Sequence, residues 1–485
     1  MTTLTINYFN EVYIKVTSDE PHVEQELSEL LTYEIPGSKF MARKNPKYKN
    51  WNGKIKLYSK QTKKIYYGLL DKIIQYAADN SYDIVNNLPK SEINMNDNSI
   101  QEFIDYLKLP VTPRDYQIAA FLDCVNSNRR LIVSPTGSGK SLLIYMLSRY
   151  YLKGMNDNKV LIIVPTTNLV EQMAGDFLNY GYKENVHKIY SGKEKNTDDT
   201  ITVSTWQSLQ NIDPEWFKQF SVVFFDEAHT CKSRVLSSIL CSLVACKYRF
   251  GFTGTLQSEE VNILVLEGLF NTHNKIISSK ELMDRGELAN LSIDIIMLNY
   301  DDITKKLAKD FEYQDEINFL ISHRKRNSFI SGLVQSLKGN TLVLFNRVDG
   351  HGKLLFDLLK DKMENVYFLH GKVDVKDRHG TIQKVDNLEN SVIIASYGVF
   401  QLGINIPNLN NAIFASPSKS KIRNLQSIGR ILRISSKKNS AKLYDIADNL
   451  VYKGKNNFTL NHLFERVKIY NDEEFKYRTH QYTIG

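Results

Sequence analysis

Ser134-Pro135-Thr136-Gly137-Ser138-Gly139-Lys140-Ser141 follows the apolar run Leu131-Ile132-Val133 and precedes a stretch with helical spacing, 142–151. A strand, a glycine-rich turn and a helix in that order form a P-loop, whose backbone N–H groups curl around phosphate oxygens at a helix N-terminus. Lys140 supplies a full positive charge near the β and γ phosphates, and Ser141 a hydroxyl for Mg2+. Pro135, Thr136, Gly137, Ser138 and Gly139 shape the cradle. The usual first glycine is Ser134 here, so the strand and helix on either side carry much of the reading.

Outward from the loop, short apolar runs alternate with amphipathic helices, the pattern of a parallel sheet covered on both faces. Expected strands lie at 131–133, 160–164, 201–204, 222–225 and 249–252. After a less regular stretch, 271–300, the alternation resumes at 341–345, 366–369, 392–395, 412–414 and 442–445. Near the N-terminus, residues 3–16 alternate like strands, 22–31 and 69–77 have helical spacing, and 55–58 and 65–67 flank a polar turn. The predicted fold is α/β, with two parallel-sheet domains behind a small α+β domain. Expected boundaries are 1–88, 89–280 and 281–450, with a helical extension over 451–485.

The chain of 485 residues is 42% hydrophobic and 24% charged, an ordinary balance for two or three globular domains. It has no apolar run long enough to span a bilayer, and its first ten residues lack the pattern of a secretory signal. A soluble cytoplasmic protein is expected. Cys124, Cys231, Cys241 and Cys246 form no Cys-x-x-Cys pair and read as buried, reduced thiols.

Asp226-Glu227-Ala228-His229 comes directly after the run 222–225. The two acids therefore emerge at the carboxyl edge of a parallel strand, where α/β proteins bind ligands. Asp226 suits Mg2+, directly or through water, and Glu227 suits orienting and deprotonating the water that attacks a γ-phosphate. An acidic pair opening a helix is often only a solvated surface feature. Beside a P-loop, the catalytic reading outweighs it.

Asp-Glu-Ala-His after a P-loop resembles motif II of the superfamily 2 helicases of DEAH type, and segments similar to the family's other motifs stand in order over 114–433. Arg114-Asp115-Tyr116-Gln117 resembles the adenine-recognising motif, which assigns Arg114 and Gln117 to the nucleotide, with Gln117 on the base edge. Pro165-Thr166-Thr167-Asn168 and Ser204-Thr205-Trp206-Gln207 resemble segments that touch the nucleic-acid backbone, implying contacts at Thr166 and Thr205. Thr253-Gly254-Thr255 resembles motif III, and the likeness implies that His229, Thr253, Thr255 and Gln426 couple hydrolysis to movement.

Leu344-Phe345-Asn346 resembles motif IV. Ala395-Ser396-Tyr397-Gly398, continuing to Gly403-Ile404-Asn405-Ile406-Pro407, resembles motif V and implies nucleotide contacts at Gly403 and Asn405. Asn405 stands where the family often has Asp. Gln426-Ser427-Ile428-Gly429-Arg430-Ile431-Leu432-Arg433 resembles motif VI, so Arg430 and Arg433 become arginine fingers. Three apart on a helix, they would share a face. The resemblance implies two RecA-like motor domains that close on ATP and Mg2+ and reopen on hydrolysis, working as a monomer. The segment Tyr48-Lys49-Asn50-Trp51-Asn52-Gly53-Lys54-Ile55 further resembles the recombination helicases of T4-like phages. That likeness implies branched or duplex DNA as partner, with forks, Holliday junctions and R-loops (RNA:DNA hybrids) as substrates in recombination, repair and replication. Its setting would be the host-cell cytoplasm.

Between Lys39 and Lys64 lie ten basic residues, Lys44, Lys47, Lys49, Lys54, Lys56, Lys63 and Lys64 among them, with no Asp or Glu. This local excess exceeds the net charge of +8, so the basicity is concentrated near the N-terminus. Lysines interleaved with aromatics such as Trp51 suit phosphate contact with stacking on bases, although Trp51 equally suits a small core. Three other readings fit the same motifs: an RNA helicase, the motor subunit of a restriction-type system, and a nucleotide-gated DNA clamp without turnover.

Overall fold

Val160–Val164 and Val222–Asp226 are apolar at nearly every position, so they are stable only as strands with both faces of the sheet covered. The computed structural model describes residues 2–34, 52–89, 95, 97–154, 158–232, 234–256, 260–401, 406, 408–416, 418–435 and 438–484. Contacts divide the chain into two units, Met1–Ser134 with Gly139–Ile276, and Ile277–Gly485 with Pro135–Ser138.

In the first unit a parallel sheet runs Val186–Ile189, Ile201–Thr205, Val160–Val164, Val222–Asp226, Tyr248–Thr253, Arg129–Val133, His273–Lys275. Every expected strand is present. The two outer strands were not foreseen, because Val186-His187-Lys188-Ile189 and His273-Asn274-Lys275 are half polar, as edge strands commonly are. The register places Thr205 beside Val164, and Thr253 beside Val133. The loops after these strands consequently leave the sheet at one edge. Arg249 is fully buried with no carboxylate paired to it among the described residues; its guanidinium donates to the carbonyls of Leu240, Leu243 and Leu269, which end two helices.

The N-terminal segment of the same unit forms a mixed sheet, Tyr58–Ser59, Lys64–Tyr66, Tyr13–Ser18, Thr3–Tyr8, Asp83–Asn87, with helices Pro21–Leu30 and Leu70–Asp79. Its apolar core includes Leu264, which belongs to the helix Glu260–Phe270. A Cβ at Gly68 would lie 2.0 Å from the carbonyl oxygen of Glu267, so only glycine permits this approach. The Glu11 carboxylate pairs with the guanidinium of Arg129, at the start of the strand that leads to the P-loop.

In the second unit the parallel order is Val366–Leu369, Val392–Ser396, Thr341–Phe345, Asn411–Phe414, Ser440–Asn449, Asn290–Asn299, Tyr477–Thr483. Two expectations change here. The stretch read as irregular contains a strand of ten residues, Asn290–Asn299. The C-terminal extension is not purely helical: after the helix Phe458–Asp472 the chain returns as Tyr477–Thr483 and completes the sheet edge. This last strand is exposed along most of its length, so it carries no apolar alternation by which to be read. Two ion pairs with fully buried partners, Arg326 with Asp448 and Arg466 with Asp445, tie helices to the strand Ser440–Asn449.

The four cysteines are free, and burial raises the thiol pKa of Cys124, Cys231 and Cys246. Among the described residues no helix is long and apolar enough to cross a membrane.

Candidate nucleotide and nucleic-acid site

The P-loop adopts the conformation its glycines permit. Gly137 and Gly139 have φ of +90° and +79°, in the left-handed region where a side chain is strained. The Ser138 hydroxyl donates to the carbonyl of Pro135, and the helix Lys140–Gly154 begins immediately afterwards. The Lys140 ammonium donates to the Ser134 carbonyl at 3.0 Å, and the Ser134 N–H donates to the Thr253 carbonyl at 2.9 Å. The loop is thereby anchored to the neighbouring strand end. Gln117 is buried against this turn: its amide oxygen accepts from the Arg114 N–H at 2.9 Å and its Nε2 donates to the Gly139 carbonyl at 3.4 Å. Arg114 Nη1 donates to the Tyr116 hydroxyl at 2.7 Å. Two segments separated by more than a strand in sequence therefore meet at one loop.

Asp226 ends its strand, and Glu227 follows with φ of +57°. For a non-glycine residue that is a strained conformation of the kind found at active sites. The Glu227 N–H donates to Asp226 Oδ1 at 3.0 Å, which fixes the turn. Desolvation, reinforced by the Glu227 carboxylate, pushes the Asp226 pKa up to about 6, while the Lys140 ammonium pulls in the opposite direction. An acidic pair in this environment favours a cation, and the Asp226 carboxylate and Ser141 hydroxyl are hard oxygen donors of the kind Mg2+ takes.

Three of the four proposed coupling residues form one buried network. His229 Nδ1 lies 3.1 Å from Thr253 Oγ1 and 3.3 Å from Glu227 Oε2. Thr253 Oγ1 donates to the Thr255 carbonyl at 2.8 Å and accepts from the Thr255 N–H at 3.3 Å. With its proton given to the Thr255 carbonyl, the Thr253 hydroxyl has a lone pair to accept a hydrogen bond from His229 Nδ1. Gln426 belongs to the second unit, on the helix Lys421–Ile431.

Thr166 caps the helix Thr167–Asn179, and its hydroxyl accepts from the Leu169 N–H at 3.4 Å. Thr205 ends the adjacent strand and exchanges a hydrogen bond with Ser208 at 3.0 Å. The Gln207 amide donates to the Pro165 carbonyl at 3.3 Å, so the two expected strand-contacting segments lie together at the carboxyl edge.

In the second unit the segments 344–346, 395–398 and 426–433 also converge. Arg423 Nη1 donates to Asn346 Oδ1 at 3.4 Å, and its guanidinium lies 5.6 Å from the Tyr397 ring. Ser416 joins them, a residue with no sequence signal. Its hydroxyl accepts from the Asn346 N–H and lies 3.0 Å from His351 Nδ1, while its carbonyl accepts from the Tyr397 hydroxyl. Arg430 is helical and lies 5.8 Å from the Phe400 ring. The helix ends at Ile431 with Leu432 as its cap, so Arg433 lies just beyond the helix that carries Arg430. The Leu432 carbonyl accepts from the Ala289 N–H at 2.8 Å.

In the basic strip, Lys54 and Lys56 are exposed on the strand Lys54–Lys56. Lys64 Nζ lies 3.6 Å over the Phe9 ring. The Lys63 ammonium pairs with the Glu24 carboxylate within the N-terminal module. Lys44, Lys47, Lys49, Trp51, Gly403 and Asn405 lie outside the described residues.

Three families match in chain order: "DNA helicase UvsW, N-terminal" over residues 3–87, "Type III restriction enzyme, res subunit" over 110–258, and "Helicase conserved C-terminal domain" over 324–435. The "ATP-dependent DNA helicase uvsW" of Enterobacteria phage T4 is 33% identical over 98% of this chain and 98% of its own length. The chain belongs to the UvsW family of superfamily 2 helicases. The crystal structure of T4 UvsW matches with a TM-score of 0.52 at 30% identity, covering 100% of both chains. The "DNA 3'-5' translocase XPB2" of Sulfurisphaera tokodaii is 27% identical over 72% of this chain and 85% of its own length. UvsW likeness therefore extends from the N-terminal module through both parallel-sheet units, whereas the family model of the type III res subunit covers residues 110–258.

Proposed function

We propose that this chain is an ATP-driven DNA helicase that remodels branched DNA during phage recombination, repair and replication, in the host-cell cytoplasm. The observation that carries the reading is the joining of a P-loop, anchored through Lys140 and Ser134, to Asp226-Glu227 and the His229–Thr253–Thr255 network on adjacent strand ends. In this reading Lys140 neutralises charge on the β and γ phosphates, Ser141 and Asp226 hold Mg2+, and Glu227 orients the attacking water. Mg2+ supplies charge stabilisation of the transferring phosphoryl group. Gln117, with Arg114, recognises adenine, and Arg430 and Arg433 stabilise the charge that develops on the γ-phosphate. Thr166 and Thr205 hold the strand backbone, and Lys54, Lys56 and Lys64 add affinity for phosphate. The motor works as a monomer, with forks, Holliday junctions and R-loops as substrates.

The test is steady-state ATP hydrolysis with single-stranded DNA, duplex DNA, a four-way junction, an R-loop and RNA, with Lys140→Ala as the blank. Stimulation greatest on the branched DNAs is expected. Stimulation by RNA alone would overturn the choice of DNA.

A further inference from the structure

The Ser141 hydroxyl, one residue into the P-loop helix, lies 3.1 Å from the hydroxyl of Tyr180. Tyr180 caps the C-terminal end of the helix Thr167–Asn179, 39 residues away, and nothing in the spacing of either segment announces the meeting. The Tyr180 ring is held in place. It packs against Tyr145 with centroids 5.4 Å apart, and Tyr145 is fully buried one turn after Ser141 on the same helix face. Tyr145 is braced in turn by Phe177 at 5.2 Å and by Arg149, whose Nη1 donates to its hydroxyl at 2.9 Å. Tyr180 therefore reaches Ser141 from a packed aromatic cluster.

We propose that Tyr180 is a positioning residue for the metal ion of the ATPase site, an inference that rests on the reading of Ser141 as a Mg2+ ligand. A serine hydroxyl has one proton and two lone pairs. Ligating Mg2+ through a lone pair requires the proton to point elsewhere, and the Tyr180 oxygen is an acceptor at hydrogen-bond distance. With the proton placed there, the remaining lone pairs face away from Tyr180, and the ligand is oriented before the metal arrives. The field of the bound cation makes the Ser141 O–H a stronger donor, so the bond to Tyr180 tightens when Mg2+ binds. Tyr180 touches neither nucleotide nor metal in this account; it acts through Ser141.

The test is calorimetric titration of ADP into the full chain across a series of Mg2+ concentrations and without Mg2+, for wild type, Tyr180→Phe and Ser141→Ala. Tyr180→Phe removes one oxygen and keeps the ring that packs on Tyr145; its melting temperature checks that the fold is intact. The expected result is that Tyr180→Phe needs about tenfold more Mg2+ to reach the same ADP affinity, while its affinity for metal-free ADP is unchanged. Equal weakening with and without Mg2+ would mark Tyr180 as packing only and overturn the proposal. An unchanged Mg2+ requirement would overturn it as well. The Ser141→Ala arm separates the premise from the inference. If that variant keeps the wild-type response to Mg2+, Ser141 is not the ligand and both fall; if it loses the response while Tyr180→Phe keeps it, only the role of Tyr180 falls.

Discussion

Individual atoms decide most of what this site can do. Thr253 has three hydrogen-bonding capacities and uses all three, donating to Thr255 and accepting from Thr255 and His229. Thr253→Val is nearly isosteric but removes the hydroxyl that joins His229 to Thr255 and takes from the buried Thr255 N–H its Thr253 acceptor. Urea unfolding should show a loss of about 1–3 kcal/mol, and DNA stimulation of ATP turnover should fall more than basal turnover; an unchanged stimulation ratio would contradict the coupling role. Asp226 is the second residue with a consequence of its own. Its carboxyl pKa, raised to about 6 by desolvation and by Glu227, means that protons compete with a cation there as pH falls through that value. The deprotonated form binds metal, so the Mg2+ concentration that half-saturates nucleotide binding should be flat above pH 7 and should rise below pH 6. A midpoint independent of pH between 7.5 and 5.5 would contradict Asp226 as a ligand.

At the scale of elements, the basic strip shows why charge counted along a chain overstates charge available to a partner. No acid occurs between Lys39 and Lys64, yet the helix Pro21–Leu30 brings Glu24 onto Lys63 and Gln25 onto Lys60. Lys54 and Lys56 are exposed on the strand Lys54–Lys56. Lys54→Gln with Lys56→Gln should therefore weaken DNA binding and lower the slope of its salt dependence by about 1–2. Lys63→Gln should leave that slope unchanged and should destabilise the N-terminal module instead. Fluorescence anisotropy on duplex DNA across a salt series distinguishes them, and equal effects of the two changes would contradict the assignment. Spacing alone continues the helix of the segment 426–433 through Arg433, whereas it ends at Ile431, two residues earlier.

Over the whole molecule, what could be read from sequence was what local pattern controls. Central strands such as Val160–Val164 are apolar throughout because both faces are covered, and a glycine-rich turn followed by a helix specifies a phosphate cradle. Edge strands escaped because one side faces water: Tyr477–Thr483 carries no periodic signal, although it completes the second sheet. Residues that act through partners distant in sequence escaped for a different reason. Ser416 beneath Asn346, Tyr180 beside Ser141 and Gly68 against Glu267 acquire meaning only from contacts the fold creates. The close fit at Gly68, with Leu264 in the N-terminal core and Glu11 on Arg129, fixes the N-terminal module to the parallel-sheet part of its unit. Lys54, Lys56 and the P-loop strand thus belong to one unit. In the proposed reading the whole chain converts ATP hydrolysis into strand separation. Its most direct test is unwinding of a labelled four-way junction with ATP and Mg2+ by wild type and by Lys140→Ala. The wild type should separate the junction while Lys140→Ala binds it with similar affinity and separates none; separation by Lys140→Ala at the wild-type rate would contradict the account.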